Sequence, residues 1–87
     1  MEMNVYAIQD IKTTFMTPTI DQSDAAASRN FANAIMQGQG ILFTHAEDFR
    51  LFRIGTYNMS NGALVPLAVP ELVIDGSQVL LQIKSKE

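Results

Sequence analysis

The stretch Phe49–Val69, FRLFRIGTYNMSNGALVPLAV, decides the fold. Its first half is rich in aromatic and branched side chains, which suit strands. The Asn61-Gly62 pair that follows favours a tight hairpin turn. Pro66 and Pro70 then remove backbone donors, so the returning strand is expected to lie at a sheet edge or to end early. The stretch predicts an antiparallel hairpin around which a small sheet forms.

The N-terminal region supplies a further strand. From Met3 to Ile8, Met3, Val5 and Ala7 alternate with the residues between them, a period of two that predicts a strand with a buried face. The segment Phe15–Ile20 is expected to be extended chain, because Pro18 excludes its predecessor from helical geometry.

One amphipathic helix is predicted after this segment. Asp21–Asp24 offers side-chain oxygens to the free amides of a helix start, and its carboxylates favour the positive end of the helix dipole. The helix should end near Met36, because Gly38-Gln39-Gly40 provides residues suited to helix termination. Apolar positions at helical spacing are Ala27, Phe31, Ala34 and Ile35.

The remaining segments are short. Ile41–Phe43 predicts a brief strand, and Thr44–Asp48 a single capped turn. Leu72–Ile74 and Val79–Ile83, joined at Asp75-Gly76, predict a terminal hairpin, with a helix as the alternative for the last segment. The predicted fold is therefore α+β, a small antiparallel sheet of about four to five strands with one amphipathic helix packed on one face. Residues 1–87 are expected to form a single domain.

Composition limits the kind of protein. Hydrophobic residues make up 47% of the chain and charged residues 17%, a globular composition. A chain of 87 residues without Cys has neither disulfides nor thiolate metal sites to reinforce a small core, so a homo-oligomer, most simply a dimer, is expected. The start of the chain lacks the features of a signal peptide, and no window resembles a membrane span, which predicts a soluble intracellular protein with no membrane partner.

Catalytic and metal-binding patterns are not found in the sequence. His45 is the single imidazole, and no nucleophile motif accompanies it. His45, Glu47 and Asp48 crowd into one turn, where three side chains cannot easily converge on a metal ion. We therefore predict no catalytic residue, no metal and no cofactor.

The segment Phe49–Tyr57 is the best candidate for binding. It interleaves aromatic residues with two arginines, the kind of surface on which single-stranded bases stack while cations hold phosphates. Strand alternation predicts Arg53 and Tyr57 on one side, with Arg50 and Phe52 on the other. In the alternative interpretation this is a central strand buried on one face, whose arginines pair with nearby acids at the rim.

Several short blocks carry a family likeness: Asn4–Ile8 with Asp10-x-Lys12, Phe15-x-x-Pro18, Asp24-Ala25 before Arg29-x-Phe31, and His45-x-Glu47-Asp48-Phe49 running to Gly55. Together with Gly62-x-Leu64-x-Pro66, these blocks make the chain resemble the small nonstructural protein of gokushovirus-type microviruses. The resemblance covers about Asn4 to Val73. It implies a nonstructural protein of phages with circular single-stranded DNA genomes, with a part in genome replication and no catalytic site.

Two hypotheses follow from the residues and the resemblance together. In the first, the protein binds single-stranded DNA during phage replication in the host cytoplasm, although a net charge of -3 opposes phosphate binding outside a local cationic patch. In the second, it is a dimeric regulator that contacts a viral or host replication protein through a sheet edge or an apolar patch, without touching nucleic acid. The candidate DNA-binding residues are Arg50, Arg53, Phe52, Tyr57, Lys12 and Arg29.

Overall fold

The computed structural model describes residues 2–37 and 45–85, with the backbone alone for residues 83–85. Four strands form one antiparallel sheet in the order β2-β1-β3-β4. The strands are β1 (Glu2–Asp10), β2 (Thr19–Asp21), β3 (Phe49–Asn58) and β4 (Leu64–Asp75). The predicted first strand and the predicted hairpin are confirmed, and β4 lies at the edge, as its prolines indicated. It also runs beyond Val69, to Asp75.

Helix α1 (Asp24–Met36) begins within the predicted capping segment Asp21–Asp24 and ends at Met36, as expected. Ser23 caps its start, because the side-chain oxygen accepts a hydrogen bond from the Ala26 amide at 3.2 Å. Its apolar stripe points at the sheet, and Phe31 and Ile35 are almost fully buried. The burial of this stripe holds α1 on one face of the sheet.

The C-terminal segment forms a second helix, α2 (Gly76–Ser85), so the prediction of a terminal hairpin is wrong and the helical alternative holds. Asp75 and Gln78 cap each other: the Asp75 carboxylate accepts from the Gln78 amide at 2.9 Å, and the Gln78 side-chain oxygen accepts from the Asp75 amide at 3.0 Å. This reciprocal pair starts a helix where the sequence was expected to turn into another strand.

The core lies between one face of the sheet and the two helices. At the start of α2 the backbone passes so close to the 3-10 turn Ala46–Asp48 that a Cβ on Gly76 would lie 1.6 Å from the Ala46 carbonyl oxygen. Only glycine permits this approach. The buried cluster comprises Tyr6, Ala27, Phe31, Ile35, Ala46, Phe49, Leu51, Ile74 and Val79.

Three irregularities interrupt the sheet. Between β1 and β3 the pairing changes from Val5–Gly55 to Tyr6–Arg53, so Ile54 is an extra residue on β3. Tyr57 pairs with Met3, whose side chain points away from that of Tyr6, so the prediction that Tyr57 and Arg53 share a side is wrong. Beyond the bulge, each β3 side chain lies on the face opposite to the one that regular alternation predicts.

The other two irregularities lie between β3 and β4. Val73 is an extra residue on β4 between the Phe52–Leu72 and Leu51–Ile74 pairs, and the remaining irregularity is larger. Arg53 pairs with Glu71 and Gly55 with Pro66, so the four residues 67–70 stand opposite Ile54 alone. The predicted strand at Ile41–Phe43 and the glycines expected to end α1 lie outside the described residues. The helix content rises from one predicted helix to two, while the α+β class and the four-stranded sheet are as expected.

Candidate interaction face

The face of the sheet opposite the helices is the candidate functional surface, here called the open face. Because directly paired residues share a face, the register assigns its members in cross-strand rows. These rows are Met3–Tyr57–Leu64, Ile20–Val5–Gly55–Pro66, Ala7–Phe52–Leu72 and Gln9–Arg50–Asp75. The first three rows are apolar apart from the Tyr57 hydroxyl, and the last row is polar. Several of the apolar side chains stay exposed, among them Ile20, Leu64 and Leu72.

Aromatic rings gather at one end of the open face. Phe15, in the connection between β1 and β2, forms an isolated bridge with Gln9. Its ring meets that of Phe52 edge-on, with centroids 5.8 Å apart and planes at 65°. Phe15 remains 42% exposed, so the pair offers aromatic surface to solvent.

Arg50 is the only cation among the strand residues of the open face. It is exposed, between Gln9 and Asp75 on the neighbouring strands, and forms no ion pair with any residue that the structure describes. Asp75 is the sole acid of the strands on this face. The other strand acids, Glu2, Asp10, Asp21 and Glu71, fall at helix-side positions of the register.

Arg53 belongs to the helix side and is engaged there. Its guanidinium donates to the Glu71 carboxylate and lies 3.8 Å from that of Asp24. The hydrogen bond and the charge of Glu71 raise the pKa of Arg53 above its ordinary value. For Arg53 the alternative interpretation of the sequence, a rim arginine paired with acids, is confirmed.

The same cluster contains the fully buried Tyr6. Its hydroxyl donates to Asp24 at 2.6 Å and accepts from the Asn4 amide at 3.0 Å. Burial, and then the hydrogen bond to Asp24, raise the pKa of Tyr6 to about 12, because a phenolate would lose solvation and could no longer donate. This network ties the start of α1 to β1 and is structural in character.

The remaining predicted site residues are divided between the two sides. Lys12 lies in the exposed turn after β1, at the same end of the sheet as Arg50, since Gln9 pairs with Arg50. Arg29 is exposed on α1, on the far side of the sheet. The structure therefore brings Arg50, Phe52 and Tyr57 to one face with Lys12 at its end, and it separates Arg53 and Arg29 from them.

Phe15 is the residue of this surface that sequence reasoning missed. The sequence predicts only extended chain at this position, before Pro18. An aromatic residue in an extended segment that follows a strand after a short polar turn is a signal that the segment folds back on that strand.

No three His, Asp or Glu side chains within residues 2–37 and 45–82 converge as metal ligands.

Comparison with known proteins gives the affiliation. A family model described as Phage ORF5 protein matches residues 3–79, which include β1 from Met3 onwards, the other three strands and α1. The chain belongs to the Phage ORF5 protein family. The open face of this family member lies wholly within the matched residues. Neither a curated protein nor a solved structure matches the chain. Within the described residues, neither helix is long and apolar enough to cross a membrane.

Proposed function

We propose that this phage protein is a nonenzymatic accessory factor that binds single-stranded DNA during replication of the phage genome in the host cell, using the open face of its sheet. The observation that carries the proposal is the grouping of Phe15, Phe52 and Arg50 at one end of that face. Exposed rings on a sheet provide stacking surfaces for unpaired bases, and a neighbouring arginine holds the phosphate between them.

The distribution of charge supports the same ligand. A chain with a net charge of -3 repels a phosphate backbone on average. On the open face, however, Asp75 is the only strand carboxylate, because Glu2, Asp10, Asp21 and Glu71 lie on the helix side. Lys12 adds a second cation at the Arg50 end. A strand of DNA lying over Phe52 would therefore meet less repulsion than the net charge implies.

The resemblance to the nonstructural proteins of gokushovirus-type microviruses supports single-stranded DNA as the ligand. Genomes of such phages are circular and single-stranded, so unpaired bases are available for stacking. The proposed contacts are Arg50, Phe52, Tyr57 and Lys12 from the predicted set, with Phe15 added. Arg53 and Arg29 leave the set, because they lie on the helix side of the sheet.

Fluorescence anisotropy with a labelled single-stranded oligonucleotide tests the proposal. The wild-type protein should bind at low salt with micromolar affinity and should lose affinity as salt is added. Phe52→Ala should weaken binding about 5- to 100-fold, the range expected from the loss of one stacked base. Arg50→Gln should also weaken binding and make it less dependent on salt.

Arg29→Gln is the matched control, because it makes the same change at an exposed arginine on the opposite side of the sheet. It should leave the affinity close to that of the wild type. Absence of binding at low salt would refute the proposal. Equal losses in Arg29→Gln and Arg50→Gln would also refute it, since they would show attraction without a site.

A second candidate function is supported by the aliphatic part of the open face. Ile20 and Leu72 are 48% and 53% exposed, and neither base stacking nor phosphate binding requires such aliphatic side chains. In this candidate the open face binds a viral or host replication protein, and the oligonucleotide does not bind. Leu72→Lys would then abolish binding of that protein, whereas in the first candidate an added lysine beside Phe52 would strengthen DNA binding.

A further inference from the structure

The hairpin arm, residues 55–66, lies outside the buried core cluster. It comprises the end of β3, the turn and the start of β4. The core cluster takes no member from residues 52–72. Leu64 and Val65 are neighbours whose side chains point to opposite faces of β4, yet they are 65% and 57% exposed. The arm therefore presents apolar side chains to solvent on both of its faces.

The arm is also uncharged. Arg53 and Glu71 pair with each other across the two strands, and the whole of residues 54–70 between them contains no Asp, Glu, Lys or Arg. A chain with a net charge of -3 thus carries a neutral apolar surface at one end. Such a surface can be buried without removing a charge from water.

A shallow groove of about 130 Å³ lies at the base of the arm. Gly55 deepens it, because a Cβ there would lie 2.6 Å from the Val65 carbonyl oxygen. The groove is shaped to accept an aliphatic side chain, since none of its lining residues is polar. These residues are Val5, Pro18, Ile54, Gly55, Leu64, Val65 and Pro66.

Regular backbone pairing with a partner strand is disrupted along residues 66–70 of β4. Pro66 and Pro70 have no amide hydrogen, and residues 67–70 bulge where an added strand would need a regular ladder. A partner must therefore contact the arm through side chains.

We propose that the partner is a second copy of this chain, which docks arm to arm in a twofold-symmetric dimer. A symmetric interface requires one patch that complements itself, and here the protruding Leu64 and the groove lie side by side in a single patch. The absence of charge agrees with the same occupant. Two copies meeting at their arms keep their net negative charges apart, whereas a phosphodiester or a charged peptide finds no counter-charge there.

The size of the chain agrees with this arrangement. A standard interface buries about 800 Å² on each partner, about one seventh of the 5794 Å² of accessible surface. The dimer also supplies the apolar burial that an 87-residue chain without Cys lacks. The dimer does not rest on DNA binding. Of the proposed DNA contacts, Tyr57 lies in the arm, whereas Phe52 and Arg50 lie towards the other end of the sheet and remain open in each copy.

Sedimentation velocity over about 1 to 100 µM tests the proposal. The wild-type chain should sediment as a dimer whose population rises with concentration. Leu64→Lys should shift the dissociation constant upwards by at least tenfold, because it places two like charges in the interface. Leu81→Lys is the matched control on α2, where Leu81 is 68% exposed, and it should dimerise like the wild type.

Circular dichroism of both variants verifies that the fold is intact, as expected for changes at exposed positions. A wild-type chain that stays monomeric throughout would overturn the proposal, including the case in which another protein occupies the arm. A Leu64→Lys chain that dimerises normally would overturn it as well. Oligonucleotide binding by monomeric Leu64→Lys separates the two proposals, since Arg50, Phe52 and Lys12 lie outside the arm in each chain.

Discussion

The helix side of the sheet and its open face are built from the same four strands but are completed in opposite ways. On the helix side, Tyr6 is fully buried with its hydroxyl bonded to Asp24, and Arg53 is paired with Glu71. On the open face, Arg50 has no ion-pair partner among the described residues, and the ring of Phe15 remains 42% exposed. The helix side satisfies its groups within the chain, and the open face leaves them for a partner. Stability should therefore depend on the first and binding on the second.

The largest expected difference in the free energy of unfolding is between Phe31→Ala and Phe52→Ala. Phe31 is 2% exposed in the core, so its truncation should cost about 3–5 kcal/mol of the free energy of unfolding. Phe52→Ala removes a partly exposed ring whose described aromatic partner is Phe15, and should cost about 1 kcal/mol. Urea denaturation of the three proteins provides the measurement. Similar losses in the two variants would mean that the open face is as tightly packed as the core.

Tyr6→Phe should have an intermediate effect that depends on pH. Near neutral pH, the loss of the hydroxyl removes the hydrogen bonds that Tyr6 forms with Asn4 and Asp24 and should cost about 1–3 kcal/mol. The folded pKa of about 12 exceeds the ordinary value of about 10, so this tyrosine stabilises the fold fully below pH 10 and ceases to do so as the pH rises through 12.

Alkaline unfolding curves check the second part of that prediction. The wild-type free energy of unfolding should fall by about 2–3 kcal/mol between pH 10 and pH 12 from this group, given about 1.4 kcal/mol for each tenfold change in ionisation. The fall should be absent in Tyr6→Phe and present in Tyr57→Phe, the matched change on the open face. A Tyr57→Phe protein that loses the same pH dependence would contradict the assignment to Tyr6.

The smallest expected difference in stability, measured as the melting temperature, is between Arg53→Gln and Arg50→Gln. Arg53 is held by Glu71 and Asp24 at the surface, so its replacement should lower the melting temperature slightly at low salt, and added salt should remove the difference. Arg50→Gln should leave the melting temperature unchanged. Differential scanning calorimetry at two salt concentrations measures both. A larger loss in Arg50→Gln would show that the open face holds a stabilising ion pair.

The parts of the fold that sequence predicts are those specified by nearby residues. Helix α1 follows from the Ser23 cap and a stripe that ends with Ile35, and the hairpin follows from Asn61-Gly62 between two β-rich runs. Helix α2 was within reach as well, because Asp75 and Gln78 have the spacing of a capping box. The apolar run Val79–Ile83 suits a strand or a helix equally, and the cap decides between them.

The parts that could not be predicted depend on contacts between distant residues. Nothing in the residues around Ile54 announces the extra residue that brings Tyr57 to the open face, since the bulge exists only relative to β1. Arg53 meets Asp24 because α1 docks over β1, and Phe15 meets Phe52 because the chain after β1 folds back. The cations that remain available to a ligand are therefore determined by tertiary contacts.

The four residues 67–70 stand opposite Ile54 alone, so β4 can gain or lose a residue there, which β1 cannot do. Gain or loss of a residue within 67–70 would lengthen or shorten the bulge and leave Glu71 aligned with Arg53. The same change within Met3–Ile8 would rotate every following side chain and turn Tyr6 outwards. Chain-length differences between relatives of this protein should consequently accumulate in the middle of β4 and be excluded from β1.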